Sequence, residues 1–207
     1  MAGVSRSSRS ARNTPKPHPH RKTVEIAARH AIQPHRQGNF DSLCGLYAAI
    51  NGIRLALYPH QPLNRPAAKR LFHSGVEYLD QKQVLCDVMH VGMLKGRWHR
   101  LIRYLLKQTA NDKLAAQAQK PSFPKPVSID GVFDWIADSL AIGAPVLASF
   151  ADYLDHYSVI VAIDDSRLHL FDSSGFKHVL RSSCGIGTGR HQILPGALIR
   201  IAVKHAS

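Results

Sequence analysis

Three residues of the types used in nucleophilic catalysis stand out in the chain: Cys44, His156 and Asp172. A cysteine attacks a carbonyl group as the thiolate, and its pKa of about 8.5 falls at a helix N-terminus beside an imidazolium. Cys44 begins the run CGLYAAINGIRLAL, whose apolar residues recur at helical spacing, and Asp41 or Ser42 is a suitable helix cap. We therefore predict Cys44 in a first helical turn, where free N–H groups and the helix dipole favour a thiolate and an oxyanion.

The base and its partner are predicted from a hairpin. His156 and Tyr157 precede the apolar run Ser158 to Ile163, Asp164-Asp165-Ser166 is a turn sequence, and Leu168 to Phe171 leads back to Asp172. If the two strands are antiparallel neighbours, His156 and Asp172 become adjacent although 16 residues separate them. The carboxylate would then hold the imidazole in one tautomer.

The elements that must position these residues fall into two halves. Helices are predicted from about Cys44 to Tyr58, weakening at Gly52, from Asn64 to Leu79, from Val84 to Leu106 with a break near Gly92 or Gly96, and from Ile129 to Leu140. Strands are predicted over Pro145 to Phe150, Tyr157 to Ile163, Arg167 to Phe171, Phe176 to Leu180 and Ala197 to Val203. This order predicts an α+β fold, with a helical half and a largely antiparallel sheet that meet at a cleft.

Charge and composition indicate one domain preceded by an arm. Residues 1–23 carry six basic and no acidic side chains and very few large apolar ones, so we predict a disordered basic arm ahead of a domain spanning 24–207. Basic residues exceed acidic ones by 13 over the whole chain, which suggests an anionic partner for the arm. The simpler interpretation is that the arm is a solvated tail with no partner.

The cellular setting is predicted from what the composition contains. No apolar run reaches the roughly 18 to 20 residues that cross a bilayer, so no transmembrane segment is expected. Three cysteines, Cys44, Cys86 and Cys184, cannot all pair with one another, which favours a reducing compartment. We expect a cytoplasmic protein, or an effector exported without a classical signal peptide, and the sequence does not indicate its oligomeric state.

Two blocks of sequence, QGNFDSLCGLYAAING and GAPVLASFADYLDHYSVIVAIDDSRLHLFDSSG, resemble the papain-like cysteine peptidase superfamily, and most closely its C39-like group. The resemblance implies a papain-like fold, in which the helix that begins at the cysteine packs against the sheet. It also implies a triad of Cys44, His156 and Asp172, with Gln37 as an oxyanion donor and no cofactor. Gln33 is the alternative donor.

Other patterns have simpler interpretations. Cys86 and His90 have metal-ligand spacing and His99 lies nearby, but no second pair completes a tetrahedral set, so no metal site is predicted. The segment Lys95 to Tyr104 mixes basic and aromatic residues, yet a solvated basic helix face is favoured over nucleic-acid binding. The glycine-rich stretch 184–189 lacks the context of a phosphate-binding loop and is predicted to be a loop before the last strand.

The leading functional hypothesis is a cysteine peptidase or isopeptidase that cleaves a peptide or small-protein substrate through an acyl-enzyme. One alternative keeps the triad and changes the acceptor, giving a deamidase, transpeptidase or acyltransferase effector. The other is a catalytically silent basic binding module. Labelling of Cys44 separates the enzymes from the module, and the mass of a modified target separates the enzymes from one another.

Overall fold

The computed structural model describes residues 23–39, 41–111 and 114–205, and within these ranges it contains five α-helices and nine β-strands. Helices and a mainly antiparallel sheet are both present, so the predicted α+β class is confirmed. The helices are α1 (Cys44–Leu57), α2 (Arg65–Gln81), α3 (Leu85–Val91), α4 (Lys95–Thr109) and α5 (Ile129–Ala141). None of the helices in these ranges is both long and apolar enough to span a membrane. The predicted arm lies outside the described residues except for Thr23.

The strands form one sheet. They are β1 (Val24–Glu25), β2 (Leu114–Gln119), β3 (Val146–Asp152), β4 (His156–Ile163), β5 (Arg167–Leu170), β6 (His178–Leu180), β7 (Cys184–Gly185), β8 (His191–Ile193) and β9 (Ile199–His205). The main order is β2-β9-β3-β4-β5-β6, while β1 pairs with β4 and β8 pairs with β3. Every pairing is antiparallel except that of β7 with β8. All eight residues of β4 are buried, so this strand forms the centre of the core.

Helix α1 packs directly on the sheet, and Gly52 is the point of close approach. A Cβ atom at Gly52 would lie 2.6 Å from a methyl carbon of Leu147 in β3 and 3.3 Å from one of Ile201 in β9. The expectation that the helix weakens at Gly52 is therefore wrong, because α1 runs on to Leu57. The glycine serves close packing of helix on sheet, which fixes the position of the helix that begins with Cys44.

Helices α2 and α4 cover the other faces of α1. A Cβ atom at Gly75 of α2 would lie 2.5 Å from Leu46 of α1, so these two helices also pack closely. In α4, Trp98 is fully buried, and its indole nitrogen donates a 2.7 Å hydrogen bond to the carbonyl oxygen of Gly45. The first turn of α1 is thus held from the side by α4.

Four of the nine strands, β1, β2, β7 and β8, were not predicted, and β7 lies in the stretch 184–189 that was predicted to be a loop before the last strand. Strand β2 has the sequence LAAQAQ, which lacks the β-branched and aromatic residues typical of strands. It is a strand because all six of its residues pair with β9, which places β2 at the edge of the sheet. The predicted break in the long helical run occurs at Gly92, which has a φ of 80° and ends α3.

Candidate active site

Cys44 is the first residue of α1 and is half-buried. The predicted cap is wrong: Leu43 precedes the helix, and Asp41 accepts a hydrogen bond from the Leu43 nitrogen instead of from a helical N–H group. Among the described residues, no side chain caps the first turn of α1. Leu46 and Tyr47 donate to the Leu43 carbonyl oxygen, so the N–H groups of Cys44 and Gly45 are the ones left to stabilise negative charge beside the sulfur.

His156 is the first residue of β4 and is placed by a tight turn from β3. Phe150 and His156 face each other across the two strands, and the turn between them contains two residues with positive φ, Asp152 at 68° and Asp155 at 37°. Aspartate is among the few residues other than glycine that adopt this conformation readily. Asp155, predicted as a solvated loop acid, is exposed and also has this backbone role.

Asp172 follows β5 and is bonded through both carboxylate oxygens. Oδ2 lies 2.7 Å from Nε2 of His156, so the hairpin brings these two predicted residues together. Oδ1 accepts hydrogen bonds from the backbone nitrogens of Ser174, Gly175 and Phe176 at 2.8, 2.9 and 3.1 Å. Asp172 is therefore both a turn former and the partner of His156. Its side chain is completely buried.

The charges of the pair support each other. Burial alone would lower the pKa of His156, but hydrogen bonds to Asp172 and Cys44 outweigh it and raise the pKa to about 9. Burial alone would raise the pKa of Asp172, but the bond from His156 outweighs it and lowers the pKa. Asp172 is thus a carboxylate that accepts from Nε2–H, which leaves Nδ1 of the ring for the Cys44 thiol. This is the protonation pattern that a thiolate–imidazolium pair requires.

Gln37 lies in the segment that precedes α1, and this segment contacts the turn that follows Asp172. Its backbone nitrogen donates to the carbonyl oxygen of Ser173 at 3.1 Å, and its side-chain nitrogen donates to the carbonyl oxygen of Asp41. Its Oε1 atom is buried and has no hydrogen-bond partner among the described residues. The alternative, Gln33, is exposed, and its carbonyl oxygen accepts from Arg54. Of the two, Gln37 is the one held by groups next to Cys44 and Asp172.

A buried aromatic pair, Trp98 and Tyr157, packs against Gly45, the residue that follows Cys44. Tyr157 packs on Trp98 with ring centroids 4.1 Å apart, and its hydroxyl donates a 2.6 Å hydrogen bond to the carbonyl oxygen of Met93. A Cβ atom at Gly45 would come within 3.3 to 3.4 Å of these two rings. Gly45 is thus part of the packing beneath Cys44, and Tyr157 fills the core, as predicted. Trp98 was not predicted at the site, because its contact with Gly45 joins residues 53 apart in sequence.

Phe176 is a second unpredicted neighbour. Its ring meets the His156 ring edge-on, with centroids 5.5 Å apart, and 43% of Phe176 is exposed. It covers part of the imidazole from solvent.

The remaining candidates lie elsewhere. Cys86 is exposed in α3, and burial raises the pKa of Cys184 to about 11, which keeps that thiol protonated. His99 is buried in α4. Within the described residues, no cluster of three or more His, Cys, Asp and Glu side chains could hold a metal ion. The aromatic Trp98 of the basic segment Lys95 to Tyr104 is buried in the core and so cannot stack on a base.

The same hairpin contains a second histidine–aspartate pair, His169 and Asp164. Asp164 was predicted only as a turn residue. Nε2 of His169 lies 2.6 Å from Oδ2 of Asp164. Oδ1 of Asp164 accepts from the nitrogen and hydroxyl of Ser166 and from the Arg167 nitrogen. Neither partner is fully buried, with 24% of each side chain exposed.

Neither models of known protein families nor curated proteins match the sequence.

Proposed function

We propose that this protein is a papain-like cysteine peptidase or isopeptidase that acts through a Cys44–His156–Asp172 triad. The observation that carries the proposal is the position of the His156 imidazole. Its Nε2 atom is held 2.7 Å from the buried Asp172 carboxylate, and the interaction of the ring with Cys44, the first residue of α1, helps to raise the pKa of His156.

In the proposed reaction, the Cys44 thiolate attacks the carbonyl carbon of the substrate amide and a tetrahedral oxyanion forms. The backbone N–H of Cys44 and the side-chain amide of Gln37 stabilise that oxyanion. The His156 imidazolium transfers its proton to the leaving amine as the C–N bond breaks, which leaves a thioester on Cys44. His156 then removes a proton from water, the hydroxide attacks the thioester carbonyl carbon, and the C–S bond breaks, which releases the carboxylic acid and restores the thiolate–imidazolium pair.

Asp172 has a positioning role in this scheme. Three backbone N–H groups and His156 fix its carboxylate, so the imidazole cannot rotate away from Cys44 without breaking a buried hydrogen bond. The raised pKa of His156 has the same origin, because the nearby carboxylate stabilises the imidazolium needed as the general acid.

The experiment that tests the proposal is labelling with an electrophilic peptide probe, followed by peptide mapping. We expect the probe on Cys44, no labelling of Cys44→Ala, and unchanged labelling of Cys86→Ala. Cys86 is the matched control because it is an exposed thiol in α3 and is not the first residue of a helix. Labelling of Cys86 or Cys184 with Cys44 unmodified would show that the proposal is wrong.

A further inference from the structure

A basic cavity of about 450 Å³ lies between α1, α2 and the segment before α1. The cations on its wall are Arg36, Arg65 and Lys69, and the aromatic rings are those of Tyr47 and Phe72. None of the three triad residues lines this cavity, and the proposed reaction does not involve it.

The sequence of α2 places the cations there. Arg65, Lys69 and Phe72 recur at spacings of four and three residues, so they share one helix face, and that face borders the cavity. Two like charges four residues apart on a helix repel each other and disfavour the helix slightly. The two cations therefore do not stabilise α2 itself, so their position on the cavity wall suggests a role in binding.

The charge of this wall is not neutralised. Among the described residues, no carboxylate forms an ion pair with Arg36, Arg65 or Lys69. Asp41 contributes a negative charge near Tyr47 but does not line the cavity. His35 is also on the wall, where burial and the charges of Arg54 and Arg65 lower its pKa, as expected in a positive field.

The cavity adjoins the candidate active site at two points. Tyr47 follows Cys44 by three residues in α1, which puts both on one face of the helix. Arg36 directly precedes Gln37, and its guanidinium lies 3.5 Å from the carbonyl oxygen of Asp172. A chain bound with its reacting carbonyl at Cys44 therefore has this positive wall beside it.

We propose that the basic cavity binds acidic side chains of the substrate and selects peptides with Asp or Glu near the bond that reacts. This inference rests on the proposed function and names its substrate class. An acidic peptide fits better than nucleic acid, because Tyr47 and Phe72 pack on each other at 5.1 Å and do not form an open series of stacking surfaces. A volume of about 450 Å³ also suits a few side chains better than an extended phosphate backbone.

Binding is tested on the full chain carrying Cys44→Ala, so that the result does not depend on catalysis. The probes are fluorescent hexaglutamate and hexaglutamine peptides with blocked ends, and a short oligothymidylate, each followed by fluorescence anisotropy. The test variant is Arg65→Gln with Lys69→Gln. The matched control is Arg70→Gln with Lys107→Gln, which removes two exposed cations from α2 and α4 that do not line the cavity.

We expect hexaglutamate to bind and hexaglutamine not to bind, with the test variant weakening hexaglutamate about tenfold and the control changing it less than about twofold. The basic arm is common to all variants, so it cannot produce this difference. Absence of hexaglutamate binding, or equal losses in the two variants, would overturn the proposal. So would tighter binding of oligothymidylate that depends on the same two residues, since the cavity would then belong to a nucleic-acid site.

The two proposals fail separately. Labelling of Cys44 by a neutral probe does not involve the basic cavity, and hexaglutamate binding to Cys44→Ala does not involve the thiol. A protein that labels at Cys44 but ignores hexaglutamate keeps the proposed chemistry and loses the proposed substrate class.

Discussion

The β4–β5 hairpin has a histidine–aspartate pair at each end, and the two pairs are built alike. In each, one carboxylate oxygen binds histidine Nε2, at 2.7 Å for Asp172 and 2.6 Å for Asp164, and the other accepts N–H groups of the following turn. They differ in surroundings. His156 and Asp172 are 8% and 0% exposed and face a thiol, whereas both members of the other pair are 24% exposed.

The comparison shows what distinguishes a candidate site from a turn. A carboxylate that ties a histidine to a hairpin is a common structural solution, because it satisfies the turn's free N–H groups. The pair with His156 differs because Cys44, the first residue of α1, also interacts with the imidazole and helps to raise its pKa. Substitutions that remove one part of this difference at a time should have effects that decrease from the histidines to the serines.

Replacing the two histidines should give the largest contrast. His156→Gln removes the proposed base and should lower hydrolysis of an activated ester at Cys44 by about 10³-fold or more. His169→Gln should leave that rate within about twofold, because the carboxylate that holds His169 belongs to the turn residue Asp164. The rates are measured on both variants after thermal melts establish that they are folded. Equal losses in the two variants would mean that neither pair has a special role.

The oxyanion donor is tested next. Gln37→Ala should slow ester hydrolysis by about 10² to 10³-fold if the side-chain amide stabilises the tetrahedral oxyanion. Alkylation of Cys44 by iodoacetamide forms no oxyanion and should change less than about threefold. Measuring both reactions on the same variant separates an oxyanion role from a structural one, since the Gln37 side chain also bonds the carbonyl oxygen of Asp41. Parallel losses in the two reactions would contradict the assignment, and Gln33→Ala is the control for the alternative donor.

The two carboxylates should respond unequally to the same change. Asp172→Asn leaves one oxygen to serve both His156 and three backbone N–H groups, so one set of bonds is lost, and we expect a rate loss of about 10 to 10²-fold. Asp164→Asn makes the matching change outside the site and should not alter the rate by more than about twofold. The ratio of the two rate losses, from ester hydrolysis at neutral pH, measures how much the Asp172 carboxylate contributes to the reaction at Cys44. A ratio near one would remove Asp172 from the proposed triad.

How much of this arrangement was predictable follows from the separation of the contacts in sequence. The His156–Asp172 pair is made by a hairpin of adjacent strands, and alternation, turn residues and an antiparallel pairing are enough to predict it. The start of α1 at Cys44 is likewise a local property of the apolar spacing. Its cap was predicted incorrectly because Asp41 bonds the backbone just outside the helix.

The contacts that the sequence could not indicate join distant segments. Trp98 meets Gly45 across 53 residues, Tyr157 meets Met93 across 64, and Arg36 meets Asp172 across 136. Strand β2, over residues 114–119, depends on its pairing with residues 200–205 of β9. Such contacts follow from how helices stack on the sheet, and a pattern of residue types does not specify that packing.

The pH dependence of stability should show the charged state of His156. Its pKa is raised from 6.5 to about 9, so the protonated ring stabilises the fold fully below about pH 6.5 and this contribution is lost as the pH rises through 9. The free energy of unfolding in urea of the wild type, minus that of His156→Gln, should therefore fall by about 1–2 kcal/mol between about pH 6 and about pH 10. A difference that stays constant or grows with pH would contradict a protonated His156.

The smallest effect compares the serines of the two turns. Ser166 donates through its hydroxyl to Asp164 at 2.9 Å, whereas the exposed Ser174 bonds Asp172 through its backbone nitrogen. Ser166→Ala should lower the free energy of unfolding by about 0.5–1 kcal/mol, and Ser174→Ala should change it by less than about 0.5 kcal/mol. Urea titration at neutral pH measures both, with ester hydrolysis unchanged in each. A larger loss for Ser174→Ala would mean that the Asp172 turn needs side-chain bonds, and that the triad carboxylate is held less by backbone N–H groups than its three contacts indicate.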